Sequence, residues 1–139
     1  STITQQLVKN RVLTDEKTYS RKLKEAVIAY RITQIYSKTE ILQEYLNTVY
    51  FGQGSYGIKS ASERFFGKPL KDLKLSEAAL LAGAIQNPEY RNPFLYPDRA
   101  RERRKQVLEI MREQKIITKG YTEQEDGSIE IPEILKKYL

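Results

Sequence analysis

The chain has 139 residues, of which 40% are hydrophobic, enough for one ordinary domain with a real core. Its 24 Lys and Arg exceed its 18 Asp and Glu, and the net charge of +6 suits an anionic partner: phosphate, nucleic acid or an acidic membrane surface. Cys and His are both absent, which excludes disulfides, thiolate nucleophiles, thiolate or imidazole metal clusters and any His-centred triad.

Ser1 to about Leu13 predicts a first helix, with Ile3 and Leu7 on one face and Thr2, Gln5, Gln6 and Lys9 on another. A polar link, residues 14–17, leads to a second helix from about Tyr19 to Tyr36. Leu23, Val27 and Tyr30 form one apolar stripe there, and Ile28, Ile32 and Ile35 a second, the pattern of a central, buried helix. Glu25 shares a side with Ile28 and Ile32, so full solvation is not expected for it. Ser37-Lys38-Thr39-Glu40 is a capping box opening a third helix with Ile41, Leu42, Tyr45, Leu46 and Val49. A glycine-rich turn, residues 51–57, precedes a short helix ending at Gly67, a natural C-terminal cap.

Ser76 is placed as the cap of the next helix, Glu77 to about Gln86, which stops before Pro88. Residues 87–97 hold three prolines and predict an extended loop. Asp98 is then placed as the cap of a basic amphipathic helix with Val107, Leu108 and Met111 on its inner face. After Thr118 the signal weakens to a turn at Asp126-Gly127, an extended Ile129–Ile131 and a weak helix from Ile134 to Leu139. No run approaches the roughly 18 apolar residues of a membrane-spanning helix, and no signal-peptide pattern opens the chain. Any membrane anchor is expected outside this sequence. One domain is expected throughout, with residues 119–139 as a less certain extension.

Two strings carry the chemistry. Taken alone, Gln5, Gln6, Lys9 and Asn10 are a wet helical face, or a phosphate grip in which Lys supplies a mobile point charge. Taken alone, Arg21 and Glu25 are an i,i+4 pair worth about 0.2–0.5 kcal/mol, or Glu25 is one of the two carboxylates that sugar transfer commonly uses. Ser1-Thr2-Ile3-Thr4-Gln5-Gln6-Leu7-Val8-Lys9-Asn10 followed by Arg21-Lys22-Leu23-Lys24-Glu25 resembles the second and third signature motifs of the peptidoglycan glycosyltransferases, glycosyltransferase family 51. Ile41-Leu42-Gln43-Glu44-Tyr45-Leu46-Asn47, Tyr50-Phe51-Gly52, Tyr56-Gly57, Ala61 and Phe66-Gly67-Lys68 resemble the fourth, with Phe65 where that pattern usually has Tyr. Leu75 to Gly83, then Gln86-Asn87-Pro88 and Tyr90-Arg91-Asn92-Pro93, resemble the fifth. The first motif, an E-D-x-x-F type string with an essential glutamate, is expected upstream of Ser1.

The resemblance implies a mainly α, lysozyme-like domain missing its N-terminal part. It implies polymerisation of lipid II into β-1,4 glycan strands, with inversion and release of polyprenyl diphosphate. It makes Glu25 the second catalytic carboxylate and a candidate metal ligand, and sets Lys9, Arg21, Lys22 and Lys24 on the diphosphate. Ser1, Gln5, Gln6, Asn10, Asn47, Tyr56, Lys68 and Asn92 become substrate-binding candidates. A divalent cation, Mg²⁺ or Mn²⁺, often assists in the family. The implied partners are lipid II, the growing lipid-linked strand, the membrane surface and moenomycin-type inhibitors. The implied place is the extracytoplasmic face of the bacterial cytoplasmic membrane. With the first glutamate absent, the chain alone is expected to be inactive. A diphosphate-lipid binder without turnover stays open, as does a basic helical module for nucleic acid. Residues 99–105 suit the latter poorly, because Glu102 interrupts the cations and no aromatic platform accompanies them. A solvated face near anionic headgroups suits them better.

Overall fold

A computed structural model describes residues 2–12 and 18–117. The candidate Ser1, the polar link and the tail after Ile117 lie outside the described residues. The fold is mainly helical, as expected, and divides into two compact units at Val49 and Tyr50.

The first unit holds α1 (Ile3–Val12), α2 (Tyr19–Ile35) and α3 (Lys38–Thr48). Reciprocal bonds open α1: Gln5 Oε1 accepts from the Thr2 amide at 3.0 Å, and Thr2 Oγ1 accepts from the Gln5 amide at 3.1 Å. This is a capping box that satisfies two orphan donors. Thr18 caps α2 through the Arg21 amide. Ser37 and Glu40 form the predicted box on α3, with bonds of 2.7 and 3.2 Å.

The central helix of this unit is α1, not α2. Leu7 and Val8 are buried, and α1 packs against both α2 and α3. On α2 only Glu25 and Ala29 are fully buried, while Tyr19, Leu23, Val27 and Tyr30 are exposed. The two-sided apolar pattern was expected to bury α2 on both faces. Among the described residues of the unit, α1 is the helix that α2 packs against most.

The second unit opens with a hairpin, β1 (Tyr50–Gly52) and β2 (Ser55–Tyr56), antiparallel with Tyr50 opposite Tyr56. The glycine-rich turn is therefore also a two-stranded ladder. Gly52 has φ +102°, and a Cβ there would lie 3.2 Å from the Pro88 carbonyl oxygen. Both the conformation and the close approach require glycine. Next come α4 (Ile58–Phe66), a single 3₁₀ turn (Leu70–Asp72), α5 (Leu75–Ala84) and α6 (Pro97–Glu113). Gly67 ends α4 in the left-handed conformation, as predicted.

Two predicted caps are displaced. The carboxylate of Glu77 accepts from the Lys74 amide at 2.9 Å, so α5 starts at Leu75 and Ser76 is a buried helical residue. Leu75 is almost fully buried, and the helix begins early enough to carry it into the core. Pro97 takes the first position of α6, where its missing N–H costs nothing. Asp98 then lies inside the first turn and pairs with Arg101 at 3.1 Å. Residues 87–96 form successive turns, not an extended loop, because Asn92 gathers them. Its carbonyl accepts from Leu95 and Tyr96, and its Oδ1 accepts from Phe94 at 2.9 Å. Helices α5 and α6 make the main packing of this unit, around Leu75, Leu81, Ala100 and Leu108.

Candidate active site

In the first unit the charged candidates sit on two packed helices. On α2, Glu25 is 1% exposed and is the one buried carboxylate among the described residues. Lys22 Nζ donates to its Oε1 at 2.7 Å, and the Lys22 side chain is half-exposed. The plain reading expected Arg21 as the partner; the structure gives Glu25 a bond from its i,i+3 neighbour Lys22. A charge withdrawn from water costs several kcal/mol unless it is paired and hydrogen-bonded. Glu25 therefore has one oxygen fixed by a cation whose other side faces solvent. Arg21 is half-buried, and Lys24 is exposed.

On α1, Lys9 and Asn10 are exposed. Gln5 and Gln6 also have structural tasks. Gln5 closes the capping box, and Gln6 Oε1 accepts from the Tyr45 hydroxyl at 2.8 Å, tying α1 to α3. Burial raises the Tyr45 hydroxyl above its ordinary pKa, so it stays a donor. Asn47, on the last turn of α3, is exposed.

Sequence reasoning missed a cavity of about 420 Å³ in this unit. Leu7, Val8, Ile32 and Ile41 line it, with the Arg11–Glu44 ion pair at its edge. None of the candidate residues lines it. The Thr2–Gln5 box and the Thr18 cap were also missed, although both follow Ser/Thr-start patterns that a scan for N-caps finds.

The remaining candidates belong to the second unit. Tyr56 is exposed, and its ring lies 4.7 Å from that of Tyr50. The Tyr50 hydroxyl donates to Glu89 Oε1 at 2.6 Å and accepts from the Gly54 amide. The bond to Glu89 raises the Tyr50 pKa. Lys68 Nζ donates to Glu77 Oε1 at 2.7 Å, and the Lys68 carbonyl accepts from the Ser62 hydroxyl. Lys68 thus ties the end of α4 to the start of α5. Asn92 is 1% exposed and spends its side-chain oxygen on its own loop. Arg91 donates to the Gly83 carbonyl and to Gln86; burial first, and then the charge of Arg103, lowers its pKa.

Among the described residues no group of three or more carboxylates could cage a metal ion. Glu25 is the residue that would hold a divalent cation if substrate oxygens completed its ligands, since Mg²⁺ commonly takes one or two carboxylates plus substrate phosphates. No helix among the described residues is long and apolar enough to cross a membrane.

A transglycosylase family model matches residues 1–112. The chain is 49% identical over 118 residues to a penicillin-binding protein 1A of Neisseria lactamica, which covers 85% of this chain and 15% of that protein. It is 45% identical over 137 residues to penicillin-binding protein 1A of Aquifex aeolicus (strain VF5), or 99% of this chain and 18% of the relative. It is 48% identical over 118 residues to penicillin-binding protein 1F of Bacillus subtilis (strain 168), or 85% and 16%. The chain therefore spans less than a fifth of these curated relatives.

Proposed function

The chain belongs to the transglycosylase family, and from that premise we propose that it carries the chemistry of a peptidoglycan glycosyltransferase. The substrate is a lipid-linked disaccharide-peptide, lipid II. The 4-hydroxyl of one unit attacks C1 of the growing strand, the bond to the diphosphate breaks, and the configuration inverts. Glu25 carries the reading: a buried carboxylate, held at 2.7 Å by Lys22, on a helix that also bears Arg21 and Lys24. Its negative charge orders cations around the departing diphosphate, and those cations take up the charge that develops on the leaving oxygens. Exposed Lys9 supplies a further phosphate contact from α1. Glu25 would hold a divalent cation, which would supply further neutralising charge for the diphosphate. The work takes place at a membrane surface, on the outer face, where a phosphoglycolipid of the moenomycin type competes for the diphosphate contacts.

A second reading, binding without turnover, is favoured by one observation. Inverting transfer uses two carboxylates, and Glu25 is alone as a buried one among the described residues. The experiment is polymer formation from lipid-linked disaccharide, followed on a gel beside a binding measurement. Under the first reading the chain forms polymer; under the second it binds the substrate and turns over about 10²–10⁴-fold more slowly than a family enzyme, the usual cost of an unfilled general-base position. Full turnover would make another residue the base. No binding at all would remove the family chemistry from this chain.

A further inference from the structure

The turns between α5 and α6 place four large apolar side chains in the open. Tyr90 is 50% exposed, Phe94 56%, Leu95 58% and Tyr96 41%. Single exposed hydrophobes need no explanation, but four within seven residues form a patch. The loop that carries them is pinned at several points. Asn92 is buried and gathers the turns, Arg91 is bonded to the end of α5, and Phe94 stacks on Phe65 with centroids 5.4 Å apart. The Arg99 guanidinium lies between Tyr90 and Tyr96, 4.1 and 4.2 Å from their centroids. The patch is thus held outward without a covering partner among the described residues of its unit.

Its chemistry is that of a water–lipid boundary. Tyr concentrates at that depth, where its ring is half in headgroups, and Phe and Leu with flanking cations are the pattern of interfacial binding. Six cations face three carboxylates between residues 89 and 105. Glu89 accepts from the Tyr50 hydroxyl and Asp98 pairs with Arg101, and the segment as a whole keeps a formal charge of +3, six cations less three carboxylates. The excess positive charge complements an anionic leaflet.

We propose that this loop is a membrane-contact surface, with Phe94 and Leu95 entering the headgroup region of an anionic bilayer while Arg99 and its neighbours on α6 meet the lipid phosphates. The proposal rests on the reading above, that the chain acts on a lipid-linked substrate, and adds which surface meets the lipid. The chain has no Trp, so Leu95→Trp creates a single reporter. With vesicles of phosphatidylglycerol and phosphatidylethanolamine, its emission should shift to the blue and be quenched by brominated acyl chains. Neutral phosphatidylcholine vesicles should give a much smaller change. Phe94→Ser with Leu95→Ser should lower partitioning onto the anionic vesicles by at least about ten-fold, with an unchanged circular dichroism spectrum. If the double variant misfolds, the Trp reporter still decides. Leu23→Trp, on the exposed face of α2, is the comparison. A shift there with none at residue 95 overturns the proposal, as does partitioning that ignores the serine pair. Absence of vesicle binding, which a loop built to dock a protein would also give, overturns it too. Binding of lipid-linked disaccharide in detergent needs no bilayer, so its failure counts against the glycosyltransferase reading alone.

Discussion

Replacing Glu25 by Gln separates chemistry from packing. Gln keeps the shape and one acceptor for Lys22 but loses the charge. The charge-assisted bond at 2.7 Å becomes a neutral one, about half as strong, a loss on the order of 1 kcal/mol. Lys22 is half-exposed, so solvent screens part of that interaction. In the other direction, the folded state no longer has to withdraw a carboxylate from water to 1% exposure, a cost of several kcal/mol before pairing. The two changes oppose each other, and net stability should move by no more than about 1 kcal/mol, a few degrees in Tm. Turnover should behave differently. A group that acts in the transition state lowers kcat and kcat/KM together when removed, and a drop of about 10²-fold or more is expected. The assay is steady-state polymerisation beside thermal unfolding of the same variant. A kcat near wild type with a clearly lowered Tm would refute the reasoning and leave Glu25 as a buried helix ion pair.

Lys9→Ala should weaken binding of a diphosphate-bearing lipid or a phosphoglycolipid by about 1.5–3 kcal/mol, the worth of a hydrogen bond to a charged group; calorimetry showing equal affinity and a lower Tm would assign Lys9 to the helix surface. Gly83→Ala sets a helix-propensity gain of up to about 1 kcal/mol against a Cβ only 2.8 Å from Arg103 Cγ. Overpacking costs about 1–3 kcal/mol, so chemical denaturation should show a net loss. The Tyr50 pKa is raised by its bond to Glu89, so this contribution to stability is complete below the ordinary tyrosine value of 10.0 and is lost as pH rises through the folded value. Tyr50→Phe should therefore lower stability near neutrality and flatten its alkaline decline, and an unchanged slope above pH 10.0 would show the bond to be inconsequential.

Signals confined to one turn of chain were legible in the sequence. The Ser37–Glu40 box and the Gly67 cap stand where local chemistry placed them. Errors arose where a neighbour in space decides. Ser76 and Asp98 are good caps in isolation, yet Leu75 is drawn into the core and Pro97 claims the first helical position. The two apolar stripes of α2 spelled a buried helix, but a stripe reports what a face can bury, not what is there to cover it. For the candidate site, Glu25 sat on a face whose apolar neighbours foretold burial, and it is buried. The bond from Lys22 to Glu25, and the bonds that engage Gln5, Gln6, Lys68 and Asn92, depend on side-chain directions that residue spacing does not specify.

The bond from Tyr45 to Gln6 joins residues 39 apart, and α2 lies entirely inside the loop it closes. Drawing such a loop shut costs on the order of 3 kcal/mol in chain entropy, and little is recovered until α3 has returned to α1. Glu25 is withdrawn from water over the same span of chain. The slow, uphill stretch of folding in this unit is therefore where both penalties fall. Helix α2 can form early from its own cap, but its carboxylate stays wet until the unit packs and the α1–α3 clasp closes with it. In hydrogen exchange, the amides around Glu25 should open and close with that clasp as one cooperative unit.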